Sequence, residues 1–280
     1  MHPVSRPRHS KHATPQPNQL CRFALPSLLA SLLFLLFSTT HLFAQSTPVE
    51  AGYRDHNFGN APDPAITGEK PQSKIWFNDN FWWGSLWNPG ANTYQIYKFD
   101  ITTQSWSSTG VAIDDRPGTK ADCLWDGQKL YVASQTFTES SGTTNDDDAA
   151  RLYRYSYNAA TKSYSLDGGF PVQINNSESE ALVLDKDSTG KLWITWMQDG
   201  EVWINRSLGN DLSWGSPFQL PAQSTSAAND DISSIVAFDD DKIGVMWSDQ
   251  VDAKIYFAVH EDGDPDLSWQ PREIALQDAQ

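Results

Sequence analysis

Residues 192–214 read LWITWMQDGEVWINRSLGNDLSW, and the fold turns on how they are read. Leu192 to Gln198 is a short apolar run with aromatic and β-branched residues, Asp199-Gly200 follows, and Glu201 to Arg206 is a second such run. Asp-Gly between two runs of this kind is a tight-hairpin signal, because both positions tolerate the positive φ that a two-residue turn requires. A polar stretch then leads into Ser213-Trp214, which opens a strand reaching Leu220. Upstream, Glu180 to Asp185 turns back through Asp187 to Gly190. The segment is therefore one unit of four short antiparallel strands.

The same plan recurs. Ser105-Trp106, Ser163-Tyr164, Ser213-Trp214 and Ser268-Trp269 each open the last strand of a block, at spacings of 58, 50 and 55 residues. A period of this size suits one small sheet per repeat. No long stretch keeps a helical apolar period, and Gly, Pro, Asn and Asp interrupt the chain every few residues. The expected fold is all-β, a β-propeller of four-stranded antiparallel blades. Four blades are expected, at about 66–113, 114–174, 175–220 and 221–276 within a domain at 66–280, after a lead-in at 45–65. Four is at the lower limit for a closed ring, so the ring is expected to be open.

Residues 1–44 read as an export signal. Arg6, Arg8, Lys11 and Arg22 precede an apolar run from Leu25 to Phe37, and Leu42-Phe43-Ala44 supplies a small residue for cleavage. The protein is thus expected to be secreted, periplasmic or extracellular, without a membrane anchor once cleaved. The formal charge of the whole chain is −15, and these 44 residues hold four of its Lys and Arg and no acid, so their removal leaves −19. Such a surface repels phosphate backbones and anionic lipid, which argues against nucleic acid or membrane as partner. Cys21 lies in the signal, leaving Cys123 as the one thiol of the mature chain, so no internal disulfide is available and a buried core residue is the simple reading. A monomer is expected, and no metal or cofactor.

Two of the polar turns, Ser207 to Trp214 and Asp262 to Trp269, resemble degenerate Asp-box (BNR) repeats, in which an Asp- and Gly-containing turn precedes an aromatic core residue. From about Ile66 to Leu276 the chain resembles a secreted bacterial propeller of the sialidase-like superfamily. That resemblance implies a glycan ligand. For a sialidase it would also imply three Arg on the substrate carboxylate, a Tyr-Glu nucleophile and an Asp acid/base. Only Arg54 and Arg116 fall in segments that reach the central face, which argues against sialidase activity.

A second repeat points to a place for function. Glu69-Lys70-Pro71-Gln72-Ser73-Lys74 and Asp115-Arg116-Pro117-Gly118-Thr119-Lys120 share the order acid, base, Pro, any, hydroxyl, Lys, and both lead into the innermost strand of a unit. The matching connections of the later units hold Glu178-Ser179-Glu180 and Asp230-Asp231. Around a propeller axis these would form a ring of opposite charges. Lys70, Asp115, Arg116, Lys120, Glu178 and Asp230 are the candidate ligand-binding residues, and Asp122, Glu180 and Asp231 the candidate acids and bases for glycoside chemistry. The other reading of the same residues is a set of solvated turns whose ions pair among themselves. Trp82, Trp83 and Trp87 offer sugar-stacking surfaces, although alternation sends about half of them into blade packing. Asp146-Asp147-Asp148 and the Asp262, Asp264, Asp266 alternation are read as solvated loop and turn, and His56 and His260 as structural. Two functions remain: a carbohydrate-active propeller working at the channel face, or a noncatalytic one that binds glycan or protein outside the cell.

Overall fold

The computed structural model describes residues 56–59, 61, 70–116, 118–139 and 149–277. All of them belong to one compact unit, Arg54–Gln280; the other unit, Met1–Tyr53, and with it the expected signal, lies outside the described residues, as do Arg54, Pro117 and Asp146 to Asp148.

Four antiparallel sheets follow one another along the chain. The first holds β1 (Ile75–Asn78), β2 (Phe81–Asn88), β3 (Thr93–Asp100) and β4 (Ser105–Ala112). The second holds β5 (Thr119–Trp125), β6 (Lys129–Thr136), β7 (Arg151–Asn158) and β8 (Ser163–Leu166), with β9 (Val172–Gln173) also pairing β7. The third is β10 (Leu182–Lys186), β11 (Leu192–Gln198), β12 (Glu201–Arg206) and β13 (Phe218–Gln219). The fourth is β14 (Ser233–Phe238), β15 (Lys242–Asp249), β16 (Lys254–Glu261) and β17 (Glu273–Gln277). Strands within each sheet are joined in order, as in a propeller blade.

The turns obey their residues. Asp79 and Asn80 take φ of 52° and 62°, the left-handed pair of a two-residue hairpin, and Asp199-Gly200 repeats it at 54° and 73°. At Gly200 a Cβ would lie 2.7 Å from the Ala227 carbonyl oxygen, so packing as well as φ requires glycine there. Outer strands are shorter than the alternation predicts. The expected strand Ser213–Leu220 shrinks to Phe218–Gln219, with Trp214 held by an isolated bridge to Ser207. The strand that Ser163-Tyr164 opens ends at Leu166 and pairing resumes only at Val172, after Asp167-Gly168-Gly169 and Pro171, and the last strand starts only after Pro271, because proline cannot donate to the ladder.

Three apolar cores lie between successive sheets. Trp76, Trp83, Trp87 and Ile96 face Cys123, Val132, Tyr155 and Tyr164. Tyr131, Ala133 and Leu152 face Leu182, Ile194 and Trp196. Trp193, Val202 and Ile204 face Ile235, Val245, Trp247 and Tyr256. Inner strands pack in the order β1 on β5, β5 on β10, β10 on β14. Cys123 is buried in the first of these cores, which pushes its thiol up to about 12. The ring is open: the outer face of the first sheet leaves Ile75, Phe77 and Trp82 exposed, and Val236 and Met246 of the fourth sheet are exposed as well.

Of the four repeat aromatics only Tyr164 is fully buried; Trp106, Trp214 and Trp269 are half-buried. Trp106 lies across Gly84, whose missing side chain makes room for the ring. At the two Asp-box turns the Trp indole donates to the carbonyl three residues back, Trp214 to Asp211 and Trp269 to Asp266, each at 3.0 Å. The Asp side chains reach the preceding sheet. Asp211 accepts from Tyr131 (3.0 Å) and Arg154 (2.7 Å), and Asp266 from Lys191 (2.8 Å) and Arg206 (2.5 Å). These turns therefore act as bolts between sheets, which is why acidic residues sit in them.

Candidate functional site

The inner ends of the first three sheets meet around residues 70–74 and Asp122. The Ser73 amide donates to Asp122 Oδ1 (2.5 Å) and the Leu184 amide to Oδ2 (2.9 Å), so one carboxylate on β5 holds the lead into β1 on one side and β10 on the other. The Cys123 amide donates back to the Ser73 carbonyl at 2.9 Å. Gln72 crosses further, donating from Nε2 to the Leu182 carbonyl (2.9 Å) and to Gln135 Oε1 (3.0 Å). Glutamine suits this seam because its amide satisfies a backbone carbonyl without introducing charge, whereas Ser73 takes part through its backbone alone. Burial pushes the Asp122 carboxyl up to about 7, against the opposing pull of its two amide donors and of Lys74. That value is what a general acid needs near neutrality, but the side chain is 3% exposed and both oxygens are engaged.

Each sequence candidate has a definite place. Lys70, with its side chain 43% exposed, pairs with Glu180, which is buried; the two precede the first strands of the first and third sheets. Arg116 is engaged beside the second sheet. Its Nε and Nη2 grip Asp114 at 3.1 and 2.7 Å, and its Nη1 donates to the Ala149 carbonyl at 2.7 Å. Asp114 also accepts from Ser134 Oγ at 2.7 Å; burial works to raise its pKa, but the guanidinium outweighs burial and holds it below the ordinary carboxylate range. Lys120 is buried, with its ammonium 5.0 Å from the centre of the Phe137 ring. Asp231 is wholly buried and accepts from the Ala228 and Gln250 amides (2.7 and 3.1 Å) and from Ser248 Oγ (2.6 Å), closing the turn into β14. Asp115 and Asp230 are exposed and Glu178 half-buried.

What composition and spacing did not disclose lies in the segment before β10. Asn175 Nδ2, Ser177 Oγ and Ser179 Oγ are buried without a hydrogen-bond partner, and Glu180 follows directly. Ser179 is tied in by its backbone, its amide donating to the Thr136 carbonyl (3.2 Å) and its carbonyl accepting from Thr138 (3.4 Å). Serine in a turn-rich chain carries no sequence mark of such a role. Nor was Gln72 legible as the residue that spans three sheets. Trp83 and Trp87 are core, whereas Trp82 is exposed. His56 and His260 are structural: His56 bonds the Trp87 carbonyl at 3.0 Å, and His260 is buried against Trp193 and Trp269. Among the described residues no group of His, Cys, Asp and Glu could hold a metal ion, and no helix is long and apolar enough to cross a membrane.

No protein-family model matches the chain, and no curated protein matches its sequence. Solved structures similar to it include an ulvanlyase among the polysaccharide lyases (TM-score 0.45, 11% identity, covering 69% of this chain and 51% of that one). An α-L-arabinofuranosidase from Lactobacillus brevis is similar at TM-score 0.42 and 12% identity, covering 73% of each chain. A fucose-specific lectin from Aleuria aurantia is similar at 0.43 and 14%, covering 70% of this chain and 57% of that one. The chain spans 51–58% of the length of the polysaccharide lyases it resembles. At these identities the likenesses assign no family, and membership of the sialidase-like superfamily is not established by them.

Proposed function

We propose that this is an exported propeller that binds a glycan without cleaving it, at the axial mouth marked by Lys70, Glu178 and Glu180. The observation that carries the reading is that all three candidate acid/base carboxylates are engaged. Asp122 and Asp231 are buried and spent on backbone amides, and Glu180 is paired with Lys70. A group that protonates a leaving oxygen must reach substrate, and two of the three do not. What the mouth offers is the partly exposed Lys70 ammonium and the half-buried Glu178 carboxylate. These are hydrogen-bond donors and acceptors suited to sugar hydroxyls.

The test is a glycan-array screen of the full chain run beside an assay for reducing ends released from the same polysaccharides. Binding without release, weakened about tenfold or more by Lys70→Ala, is the expected result. Product release by the wild type that Glu180→Gln abolishes would replace this reading with the hydrolytic one.

A further inference from the structure

We infer that ordered water is built into the lead to β10, held by Asn175, Ser177 and Ser179 where the chain passes from the second sheet to the third. Burial alternates along this stretch: Asn175, Ser177 and Ser179 are buried, at 3% exposure or less, and Asn176 and Glu178 between them are half-buried. Ser179 also makes a parallel bridge to Phe137, so the stretch runs extended, with three polar side chains turned inward on one side. Asn175 Nδ2 and the two Oγ atoms meet no hydrogen-bond partner in the protein. The backbone around them is provided for. The Ile174 amide donates to the Ala150 carbonyl (2.9 Å), the Ile174 carbonyl accepts from Asn205 Nδ2 (2.7 Å), and the Asn175 carbonyl accepts from Gln173 Nε2 (2.9 Å). Three enclosed polar atoms on one short stretch call for a partner, since each one left bare costs as much as a lost hydrogen bond.

The lead to the second sheet shows how such a turn is otherwise completed. Ahead of β5, Asp114 Oδ1 accepts from the amide two residues on, that of Arg116 (3.0 Å), as Asn175 Oδ1 accepts from the Ser177 amide (3.3 Å). The two turns meet at adjacent residues, because Arg116 Nη1 donates to the Ala149 carbonyl (2.7 Å) and the Ala150 amide donates to Asn175 Oδ1 (2.6 Å). At Asp114 the second carboxylate oxygen is met by the Arg116 guanidinium and by Ser134 Oγ, each at 2.7 Å. At Asn175 the residue two positions on is a serine, with no guanidinium to reach back. Water takes that place. The atoms themselves decide against other occupants. Asn175 Nδ2 only donates, which repels a metal cation, and the Glu180 carboxylate that follows opposes an anion. All three atoms are closed to solvent, which bars a sugar. A water both donates and accepts, and one amide with two hydroxyls is the set of about three partners that a buried water takes.

A high-resolution crystal structure of the full chain, grown with bromide in place of chloride, tests the inference. At least one water should lie within about 3.2 Å of two or more of the three atoms, with no anomalous bromide signal there. A bromide peak at those atoms overturns the inference, and so does density that shows them bonded to protein groups or to nothing. In solution, oxygen-17 relaxation dispersion counts the waters that stay in the protein longer than it takes to tumble. That count should fall by at least one when Ser177→Ala and Ser179→Ala are combined, and an unchanged count in the folded double variant overturns the inference. The crystal needs no variant, so it decides the matter if the double variant does not fold. Neither measurement involves a glycan, so a failure here would leave the proposed function standing.

Discussion

Asp122→Asn isolates what a buried carboxyl at the centre of three sheets does to stability. In the folded protein Asp122 keeps its proton up to about pH 7, whereas in the unfolded chain it gives the proton up near the ordinary aspartate value of 3.8. Between those values the folded state holds more protons, so stability falls as pH rises, and the loss is complete above about pH 7. The interval is about three pH units, and at about 1.4 kcal/mol per unit the wild type should lose roughly 4 kcal/mol from this one group between pH 4 and pH 8. Asparagine preserves shape and an acceptor but does not titrate, so that part of the pH dependence should vanish in the variant. Urea unfolding midpoints of both proteins at pH 4, 5, 6, 7 and 8 measure it, with the m-value checked for constancy. The stability of the wild type relative to the variant should be greatest at pH 4, where Asp122 is protonated in the fold and about half ionised in the unfolded chain, and should fall by roughly 4 kcal/mol toward pH 8. Parallel curves across the whole range would show that Asp122 ionises normally in the folded protein, and the account of its burial would fall.

Arg116→Lys should lower stability by about 1–3 kcal/mol, because lysine cannot keep two bonds to buried Asp114 and one to the Ala149 carbonyl. Thermal unfolding at neutral pH reads this directly, and an unchanged midpoint would mean that the guanidinium is dispensable to the fold. Asp266→Ala should cost on the order of 1 kcal/mol, given the partial exposure of Lys191 and Arg206, and the loss should shrink in 1 M salt. A loss that salt does not diminish would point to packing at Trp269 as its source.

The propeller plan was legible because hairpin chemistry and alternation are local. Asp199-Gly200 and Asp126-Gly127 announce their turns in two letters, and the repeat aromatics mark the period. Strand ends were less legible where Pro171 and Pro271 removed ladder donors, since alternation continues through a proline that the sheet cannot use. The site was readable only in part. The acid-base-Pro segments precede β1 and β5, and Lys70 pairs with Glu180 ahead of β10. The same pattern at Asp115-Arg116 misleads, because Asp114, one residue outside it, is the buried anion that captures the guanidinium. Burial is a property of the assembled sheets, and no spacing rule distinguishes Asp231, wholly enclosed, from its exposed neighbour Asp230.

Gln72 also ties together parts of the chain that are far apart in sequence. Its acceptor at Leu182 lies 110 residues further along the chain, with the whole second sheet between them. Until the third sheet has formed, Gln72 Nε2 lacks its Leu182 acceptor. Arrays of repeats whose units touch only their neighbours fold and fray from the ends, one unit at a time. Here the seam couples the first unit to the third, so loss of the third should release the first as well. Closure of this long loop should retard folding and give the three sheets a common unfolding event.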